Sequence, residues 1–428
     1  MFKTVKKINS ALKGSIIIPA DKSISHRAIM LASIANGSSK IINISNSMDC
    51  LSTINIFKQL GIDIEFENKK TIKIIGDKLK QSTDFLNAGN SGTTIRLVSG
   101  ILARQQFNST IIGDESLSKR PMKRILEPLK LMGANISSID GKAPLYIKGT
   151  QLYGIEYNSL INSAQVKSCV LLAGLGAEGH TKYTEQYLSR NHTELMLKYL
   201  GANIETKNNT TIIYPSELTS KNIEIVGDIS SASFFIVAGL IIKNSDFVIK
   251  NVGINPTRTG IFDILKRMQA NIKIFNEHTV SGELCADIRV RYTENLKACE
   301  ISGQDIPKLI DELPILAVLA SQADGTTIIK NAEDLRNKET DRITCLVKEL
   351  QKIGVDIFEQ KDGYIVHGNG NKKYLNGDAE LDVYMDHRLA MSFYVAGLIC
   401  KKEILIKDFN WINISFPEFE NLFNNLIS

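Results

Sequence analysis

The hydrophobic pattern of this chain recurs along its whole length. A small polar or acidic residue precedes a helix rich in small apolar residues, and this pattern returns every 67 to 81 residues. The six starts lie at Ser23, Ser91, Ser163, Ser230, Asp311 and Asp386. Between them lies an amphipathic helix, then a break, then a strand of alternating polarity. The spacing predicts six copies of one β-α-β-α-β-β unit of about 70 residues.

The breaks after the amphipathic helices share one register. They lie at Gly61, Gly133, Gly201, Gln269 and Gly354, each followed by two residues and an isoleucine. Glycine just after a helix commonly takes a positive φ, which lets the chain turn sharply into a strand. Gln269 is a poorer terminator, but its register predicts the same turn. A shortened sixth helix is predicted at 419–426.

The length of the unit decides how the copies are arranged. Solenoid repeats usually have 20–50 residues, so units of about 70 residues favour closed lobes over an open array. We therefore predict an α/β (α+β) fold of two lobes with three repeats each. The predicted lobes are residues 21–227, and residues 1–20 together with 228–428. No low-complexity linker marks the boundary between them.

Composition and charge exclude several classes of protein. Apolar residues make up 43% and charged residues 23%, as in ordinary globular proteins. No apolar run is long enough for a membrane span, and no apolar segment follows the N-terminal lysines, so we expect a cytoplasmic protein. A net charge of +5, dispersed along the chain, is too weak for nucleic-acid binding but suits a cleft for small anions. The six cysteines are far apart, which predicts reduced thiols and neither disulfides nor a metal site.

Helix starts in the first half carry cations and small residues. Lys22 and Arg27 surround a predicted cap at Ser23, where the helix dipole already favours a phosphate or carboxylate. Gly92 would let a ligand approach the backbone, and Arg120 precedes a proline at another helix start. Taken singly, each segment could equally be an ordinary capped helix with solvent-facing cations.

Two further starts in this half have the same character. Ser163, Ala164 and Gln165 begin a helix with short hydrogen-bonding side chains. Arg190 precedes a helix for which Thr193 is the predicted cap.

The second half supplies acids at equivalent places. Asp311 is a predicted N-cap of an apolar helix, and Arg388 follows an acid at the last apolar helix. Lys338, Glu339 and Arg342 fall within seven residues that could also be a solvated helical face. Because these starts recur at equivalent positions of a repeat, they predict one cationic cleft with one or two acids.

Nine ordered motifs carry a resemblance to a known family. They are DKSISHRAIMLA, GNSGTTIRL, GDESLSKRPM, NSAQVKS, SRNHTE, DELP, LRNKETDR, DHRLAMS and SFPEF. Over essentially its full length the chain resembles the 5-enolpyruvylshikimate-3-phosphate (EPSP) synthases, or 3-phosphoshikimate 1-carboxyvinyltransferases. The resemblance implies the enolpyruvyl transferase fold, with the active site between the lobes. It also implies transfer of the enolpyruvyl group of phosphoenolpyruvate to the 5-hydroxyl of shikimate 3-phosphate, with release of phosphate, on the route to chorismate.

The resemblance also implies the roles of individual residues. Shikimate 3-phosphate would be bound by Lys22, Ser23, Arg27, Ser163, Ala164, Gln165, Arg190, Asp311 and Lys338. Phosphoenolpyruvate would be bound by Lys22, Gly92, Arg120, Gln165, Arg342 and Arg388. The catalytic residues would be Asp311 as general base, Glu339 as proton donor to the methylene carbon, and Lys22 as a possible partner of Glu339. No cofactor or metal is implied. We expect a monomer that binds these two small molecules and binds neither nucleic acid nor a membrane.

Two positions depart from the family pattern. Many members carry a lysine where this chain has Ile414, so one phosphoenolpyruvate contact is missing or supplied elsewhere. Some members carry a proline where this chain has Leu97, which leaves glyphosate sensitivity open.

Two other functions compete with this interpretation. The UDP-N-acetylglucosamine enolpyruvyl transferases share the fold and donor, but usually present a cysteine in the loop that is 113–122 here and an asparagine after the lysine. This chain has no cysteine in that loop, and Ser23 follows Lys22. A non-catalytic anion-binding homologue would keep the cations but need not keep Asp311 and Glu339.

Overall fold

The computed structural model describes residues 2–370 and 374–427. The helices in these ranges are α1 Lys22–Ile34, α2 Met48–Gln59, α3 Gly92–Ala103, α4 Lys123–Leu131, α5 Ala164–Gly174, α6 His192–Tyr199, α7 Ile229–Ile241, α8 Gly260–Arg267, α9 Ile306–Leu309, α10 Leu313–Ser321, α11 Arg342–Lys352, α12 His387–Gly397 and α13 Phe419–Leu426. The strands up to residue 224 are β1 Phe2–Val5, β2 Lys13–Ile17, β3 Gly37–Ile42, β4 Asp63–Asn68, β5 Thr71–Gly76, β6 Leu86–Asn87, β7 Asn108–Ile112, β8 Asn135–Ile139, β9 Lys142–Lys148, β10 Glu156–Asn158, β11 Thr181–Thr184, β12 Ile204–Lys207, β13 Thr210–Ile213 and β14 Ile223–Glu224. The later strands are β15 Asp246–Gly253, β16 Ile272–Val280, β17 Glu283–Arg291, β18 Glu300–Ile301, β19 Asp324–Ile329, β20 Asp356–Gln360, β21 Gly363–Asn369, β22 Ala379–Asp382 and β23 Ile404–Lys407.

The described chain divides into two compact units. One comprises Ala20–Val226 and Thr279–Glu283. The other comprises the described residues of Met1–Pro19, Gly227–His278 and Leu284–Ser428. The short segment Thr279–Glu283, at the turn between β16 and β17, was not anticipated as part of the first unit.

The Ala20–Val226 unit is built from three four-stranded sheets. Their strand orders are β14-β3-β5-β4, β6-β7-β9-β8 and β10-β11-β13-β12. In each sheet the first two strands are parallel and the other pairs are antiparallel. Helices α1, α3 and α5 are almost entirely buried, and their buried faces include the charged residues Arg27, Arg96 and Lys167.

The second unit repeats this plan with a truncated last copy. Its sheets are β16-β17-β15-β2, β18-β19-β21-β20 and β1-β23-β22. Helices α7, α10 and α12 are buried at its centre. The short helix α13, predicted at 419–426, is confirmed, and its Phe423 stacks on Phe235 of α7 with ring centroids 4.3 Å apart.

The predicted β-α-β-α-β-β order is confirmed for the second, third and fifth repeats. In the first and fourth repeats the leading strand is exchanged. Strand β2 precedes α1 but pairs with β15, whereas β14 precedes α7 but pairs with β3. The sixth repeat lacks its final hairpin, and β1 from the N-terminus pairs antiparallel with β23.

The predicted breaks all adopt a positive φ. The angle is +87° at Gly61, +88° at Gly133, +93° at Gly201 and +86° at Gly354. Gln269 takes the same left-handed conformation with φ +57°. The shared register therefore predicted the backbone conformation correctly even where the residue was not glycine.

Candidate active site

The predicted site residues fall into two sets, one in each unit. In the Ala20–Val226 unit, helix α1 begins at Lys22 and is capped by Asp21, whose carboxylate accepts a hydrogen bond of 2.8 Å from the Ile24 amide. The expectation that Ser23 caps this helix is therefore wrong, because the carboxylate two residues earlier occupies that place. The Lys22 ammonium instead lies 2.9 Å from a carboxylate oxygen of Asp49 on α2.

Arg27 is the buried centre of this set. Its guanidinium donates to the hydroxyls of Thr193 and Ser168 at 2.7 and 2.8 Å, and to the carbonyl of Ser23 at 2.9 Å. Burial lowers the pKa of Arg27 to about 10, and the carboxylate of Glu194 counteracts that effect. Arg27 therefore stays cationic at neutral pH and links α1, α5 and α6.

The start of α6 differs from its prediction. Asn191, and not Thr193, is the residue that precedes the helix. The Thr193 hydroxyl is turned inward, where it accepts from Arg27. Arg190 lies just before this start, and its charge is one of those that lower the pKa of Arg27, so the two guanidinium groups belong to one cationic region.

Gly92, the first residue of α3, lies among arginines. A Cβ atom placed on Gly92 would be 2.9 Å from Nη1 of Arg96 and 3.5 Å from Nη1 of Arg120. Arg96 also donates to the side-chain oxygen of Gln165 at 2.5 Å, and Arg120 donates to that of Asn90 at 2.6 Å. Glycine at this position keeps the space in front of both guanidinium groups open.

The start of α5 is built from small residues. The helix begins at Ala164, after Ser163, whose hydroxyl makes no capping hydrogen bond. Both residues are half-buried, as is Gln165. Amide groups at a helix start carry the positive end of the dipole and suit an anion.

Arg342 organises the second set, in the other unit. Its guanidinium is 1% exposed, donates to Asp386 at 2.6 Å and to Glu339 at 2.5 Å, and lies 3.6 Å from Asp311. Burial alone would lower the pKa of Arg342, but these three carboxylates outweigh it and raise the pKa above its usual value. Arg342 is therefore a permanent cation.

Asp311 is not the N-cap of the apolar helix, because Glu312 occupies that place before α10. Its carboxylate instead lies 3.6 Å from Arg342 and 3.7 Å from Arg388. The Asp311 carbonyl accepts from Arg388 at 3.1 Å. The attraction of two guanidinium groups accounts for the orientation of this carboxylate.

The remaining predicted residues of this set lie nearby in sequence. Lys338 precedes α11 and forms an ion pair with Asp334 at 2.8 Å. The predicted start of the last apolar helix is confirmed, since Asp386 caps α12 by accepting from the Arg388 amide at 2.8 Å.

The sequence did not indicate some functional contacts. Arg96 follows Gly92 by four residues, so helical periodicity could have placed both on one face of α3. Asp49 has no such local signal, because its partner Lys22 is 27 residues away on another helix. Of the two departures from the family pattern, Leu97 is fully buried in α3 and Ile414 is half-buried at the end of a short 3₁₀ turn.

Residues 2–370 and 374–427 contain no group of three or more His, Cys, Asp or Glu side chains placed to hold a metal ion. Across the same residues, every helix is too short or too polar to cross a membrane.

Comparisons with known proteins identify the family. The family model of EPSP synthase (3-phosphoshikimate 1-carboxyvinyltransferase) matches residues 6–423. The chain is 48% identical to the 3-phosphoshikimate 1-carboxyvinyltransferase of Thermoanaerobacter sp. (strain X514), covering 97% of this chain and 98% of that protein. It is 48% identical to the protein of the same name from Bacillus velezensis, with 96% of each chain covered.

Solved structures match over the same extent. EPSP synthase from Acinetobacter baumannii superposes with a TM-score of 0.89 at 41% identity, covering 99% of this chain and 98% of that one. The enolpyruvyl transferase NikO from Streptomyces tendae superposes with a TM-score of 0.78 at 17% identity, covering 99% of this chain and 96% of that one. The second likeness shows a shared fold.

Proposed function

Because the chain belongs to the EPSP synthase family, we propose that it transfers the carboxyvinyl group of phosphoenolpyruvate to the 5-hydroxyl of shikimate 3-phosphate and releases phosphate. The observation that carries this proposal is the Asp311 carboxylate beside the guanidinium groups of Arg342 and Arg388. A potential base next to two anion-binding groups is what a reaction between a hydroxyl and an anionic donor requires.

We assign the two substrates to the site residues described above, many of which are cations. Each substrate carries a phosphate and a carboxylate, and guanidinium groups bind both with two parallel hydrogen bonds. Shikimate 3-phosphate is taken by Lys22, Ser23, Arg27, Ser163, Ala164, Gln165, Arg190, Asp311 and Lys338. Phosphoenolpyruvate is taken by Lys22, Gly92, Arg120, Gln165, Arg342 and Arg388.

The proposed chemistry divides two proton transfers between two acids. Asp311 takes the proton of the 5-hydroxyl as its oxygen bonds to the central carbon of phosphoenolpyruvate, while Glu339 delivers a proton to the methylene carbon, with Lys22 as its possible partner. The bond from that central carbon to the phosphate oxygen then breaks and phosphate leaves, and the Glu339 carboxylate takes back a methyl proton, which restores the double bond. Glu339 is held at 2.5 Å by Arg342, so the proton donor and a phosphoenolpyruvate ligand are coupled.

The experiment that tests this function measures phosphate release from phosphoenolpyruvate with either of two acceptors. We expect turnover with shikimate 3-phosphate and none with UDP-N-acetylglucosamine. Turnover with the second acceptor alone would reassign the activity. Absence of turnover with both, in a folded protein that binds shikimate 3-phosphate, would indicate a non-catalytic homologue.

A further inference from the structure

A cluster of buried charges adjoins the proposed shikimate 3-phosphate ligands Arg27 and Arg190 and is not used by the chemistry above. Lys167 on α5 is 1% exposed, and its ammonium lies 2.7 Å from a carboxylate oxygen of Glu185 and 2.8 Å from one of Glu194. We call these three residues the Lys167 cluster. Burying three charges is costly even when they pair, so the cluster is weak evidence of stabilisation by itself.

The Lys167 cluster holds both backbone groups of Ser189. The Lys167 ammonium donates to the Ser189 carbonyl at 3.1 Å. The Ser189 amide donates to Glu185 at 2.9 Å. Ser189 is the residue before Arg190, so these two bonds fix the direction in which the backbone reaches Arg190.

Glu194 acts on the second proposed ligand, Arg27, by charge. Its carboxylate is buried, and one oxygen lies 2.8 Å from the Lys167 ammonium. It follows Thr193, whose hydroxyl accepts from Arg27, and its charge favours the protonated form of Arg27. Glu194 therefore offsets the repulsion between the buried cations Arg27 and Lys167 and the nearby Arg190.

We propose that Lys167, Glu185 and Glu194 are positioning residues for shikimate 3-phosphate, which hold Arg190 and Arg27 where that substrate binds. The inference rests on the proposed function, because that function assigns the two arginines to shikimate 3-phosphate. The cluster is bonded to Ser189, next to Arg190, and its Glu194 acts by charge on Arg27, so we expect its effect to fall on shikimate 3-phosphate.

The test compares two substitutions at Glu185. Glu185→Leu replaces the carboxylate with an apolar side chain of similar size. It therefore removes the acceptor for the Ser189 amide and for Lys167. Glu185→Gln removes the charge but keeps an oxygen that can accept from both. Lys167→Met removes the donor to the Ser189 carbonyl. The control is Leu172→Ala, on the same helix and 1% exposed, which destabilises the core without touching the cluster.

We expect calorimetry to show that Glu185→Leu and Lys167→Met weaken binding of shikimate 3-phosphate about tenfold or more. Glu185→Gln and Leu172→Ala should bind it within about threefold of the parent protein. The KM for phosphoenolpyruvate, measured at saturating shikimate 3-phosphate, should change less than about threefold in all four. This split between substrates is not expected from lost stability alone.

The opposite results would overturn the proposal. Binding by Glu185→Leu within threefold of the parent protein would do so, as would an equal loss in Leu172→Ala or in Glu185→Gln. If Lys167→Met does not fold, the variant Lys167→Met/Glu185→Gln removes one of the two carboxylates left without Lys167, keeps Glu194 to compensate Arg27, and carries the same comparison. Failure of the proposed function is distinguishable, because it shows as absent turnover of shikimate 3-phosphate by the parent protein, whereas this proposal is tested by the difference in binding between the variants and the parent.

Discussion

At the residue scale, His26 makes the folded state sensitive to acid. Burial lowers the pKa of His26 to about 3, from an ordinary value of 6.5. Between these values the unfolded chain binds a proton that the folded chain does not, so stability is present above pH 6.5 and is lost as the pH falls towards 3. One group contributes about 1.4 kcal/mol per pH unit across this window. We expect the midpoint of urea unfolding to fall from pH 6 to pH 4, and His26→Gln to flatten that fall.

The control for this prediction is His278, which is exposed on β16. His278→Gln should leave the pH dependence of the urea midpoint unchanged. An equal slope in the parent protein and in His26→Gln would show that other groups cause the acid sensitivity.

Also at the residue scale, the two proposed proton-transfer groups should act on turnover more than on binding. We expect Asp311→Asn and Glu339→Gln each to lower kcat by about 10²-fold or more, with much smaller changes in substrate affinity. Glu339→Gln should in addition slow the exchange of solvent deuterium into the methylene group of phosphoenolpyruvate. Asp356→Asn, an exposed carboxylate in the same unit, serves as the control.

Deuterium exchange at the parent rate in Glu339→Gln would identify another proton donor. Lys22 would then be the residue to substitute next, because it is the proposed partner of Glu339. Its ammonium lies 2.9 Å from the carboxylate of Asp49.

At the scale of elements, the turn after each of five amphipathic helices has the same left-handed backbone conformation. Gln269 adopts φ +57° where its four counterparts are glycine. A residue with a Cβ pays about 1 kcal/mol for this conformation, whereas glycine does not. We therefore expect Gln269→Gly to raise the free energy of unfolding by about 0.5–1 kcal/mol, measured by urea unfolding.

The reciprocal change gives the matched control. Gly201 has φ +93°, and a Cβ placed there would meet no atom closer than 4.0 Å. Gly201→Gln should therefore destabilise through backbone conformation alone, by about 1 kcal/mol. A stabilising Gly201→Gln, or a destabilising Gln269→Gly, would mean that side-chain contacts outweigh the backbone at these turns.

Elements were more predictable from the sequence than their exact starts. The register of Gln269 was readable because five copies of one turn could be aligned within the chain. The caps of α1 and α6 could not be read from the sequence in this way. Asp21 and Asn191 each lie two positions before another residue of capping type, and only three-dimensional contacts decide between the two. Thr193 does not cap α6, because its hydroxyl accepts a hydrogen bond from Arg27, which lies 166 positions earlier in the chain.

At the scale of the whole molecule, repetition places one kind of ion cluster twice in the second unit. Arg258 lies 3.1 Å from Glu312 and 3.5 Å from Asp228, as Arg342 lies between Asp311 and Asp386. Each cluster has one fully buried carboxylate, Glu312 or Asp386, and one partly exposed carboxylate, Asp228 or Asp311. The clusters differ in the proposed substrate ligands, which include Arg342 and Asp311 but no member of the Arg258 cluster, so we expect the Arg258 cluster to be structural.

We expect Arg258→Met to lower the free energy of unfolding by about 3–5 kcal/mol, because it leaves Glu312 buried and unpaired. The KM values of the folded fraction should stay near those of the parent protein. Arg258→Met/Glu312→Gln should recover part of the lost stability, as measured by the urea midpoint. A double variant no more stable than the single one would show that Glu312 is not the group left uncompensated.

The arrangement of whole repeats also set the limit of sequence-based prediction. Six copies and their internal order followed from apolar periodicity and glycine spacing. The exchange of β2 and β14 did not, because both strands precede an apolar helix with the same local pattern, and their pairing depends on partners far along the chain. The Lys167 cluster was missed for the same reason, since its bonds join separate elements.

The pairing of β1 with β23 has a consequence for how the protein is made. Phe2–Val5 is translated about 20 to 80 s before its partner Ile404–Lys407 at ordinary rates of synthesis. Throughout that interval β1 has its ladder groups open to water, chaperones or another nascent chain. A translation product that stops before residue 404 therefore lacks the strand with which β1 pairs. A premature stop in the coding sequence for β23 would thus leave β1 without its partner, although β1 itself is made in full.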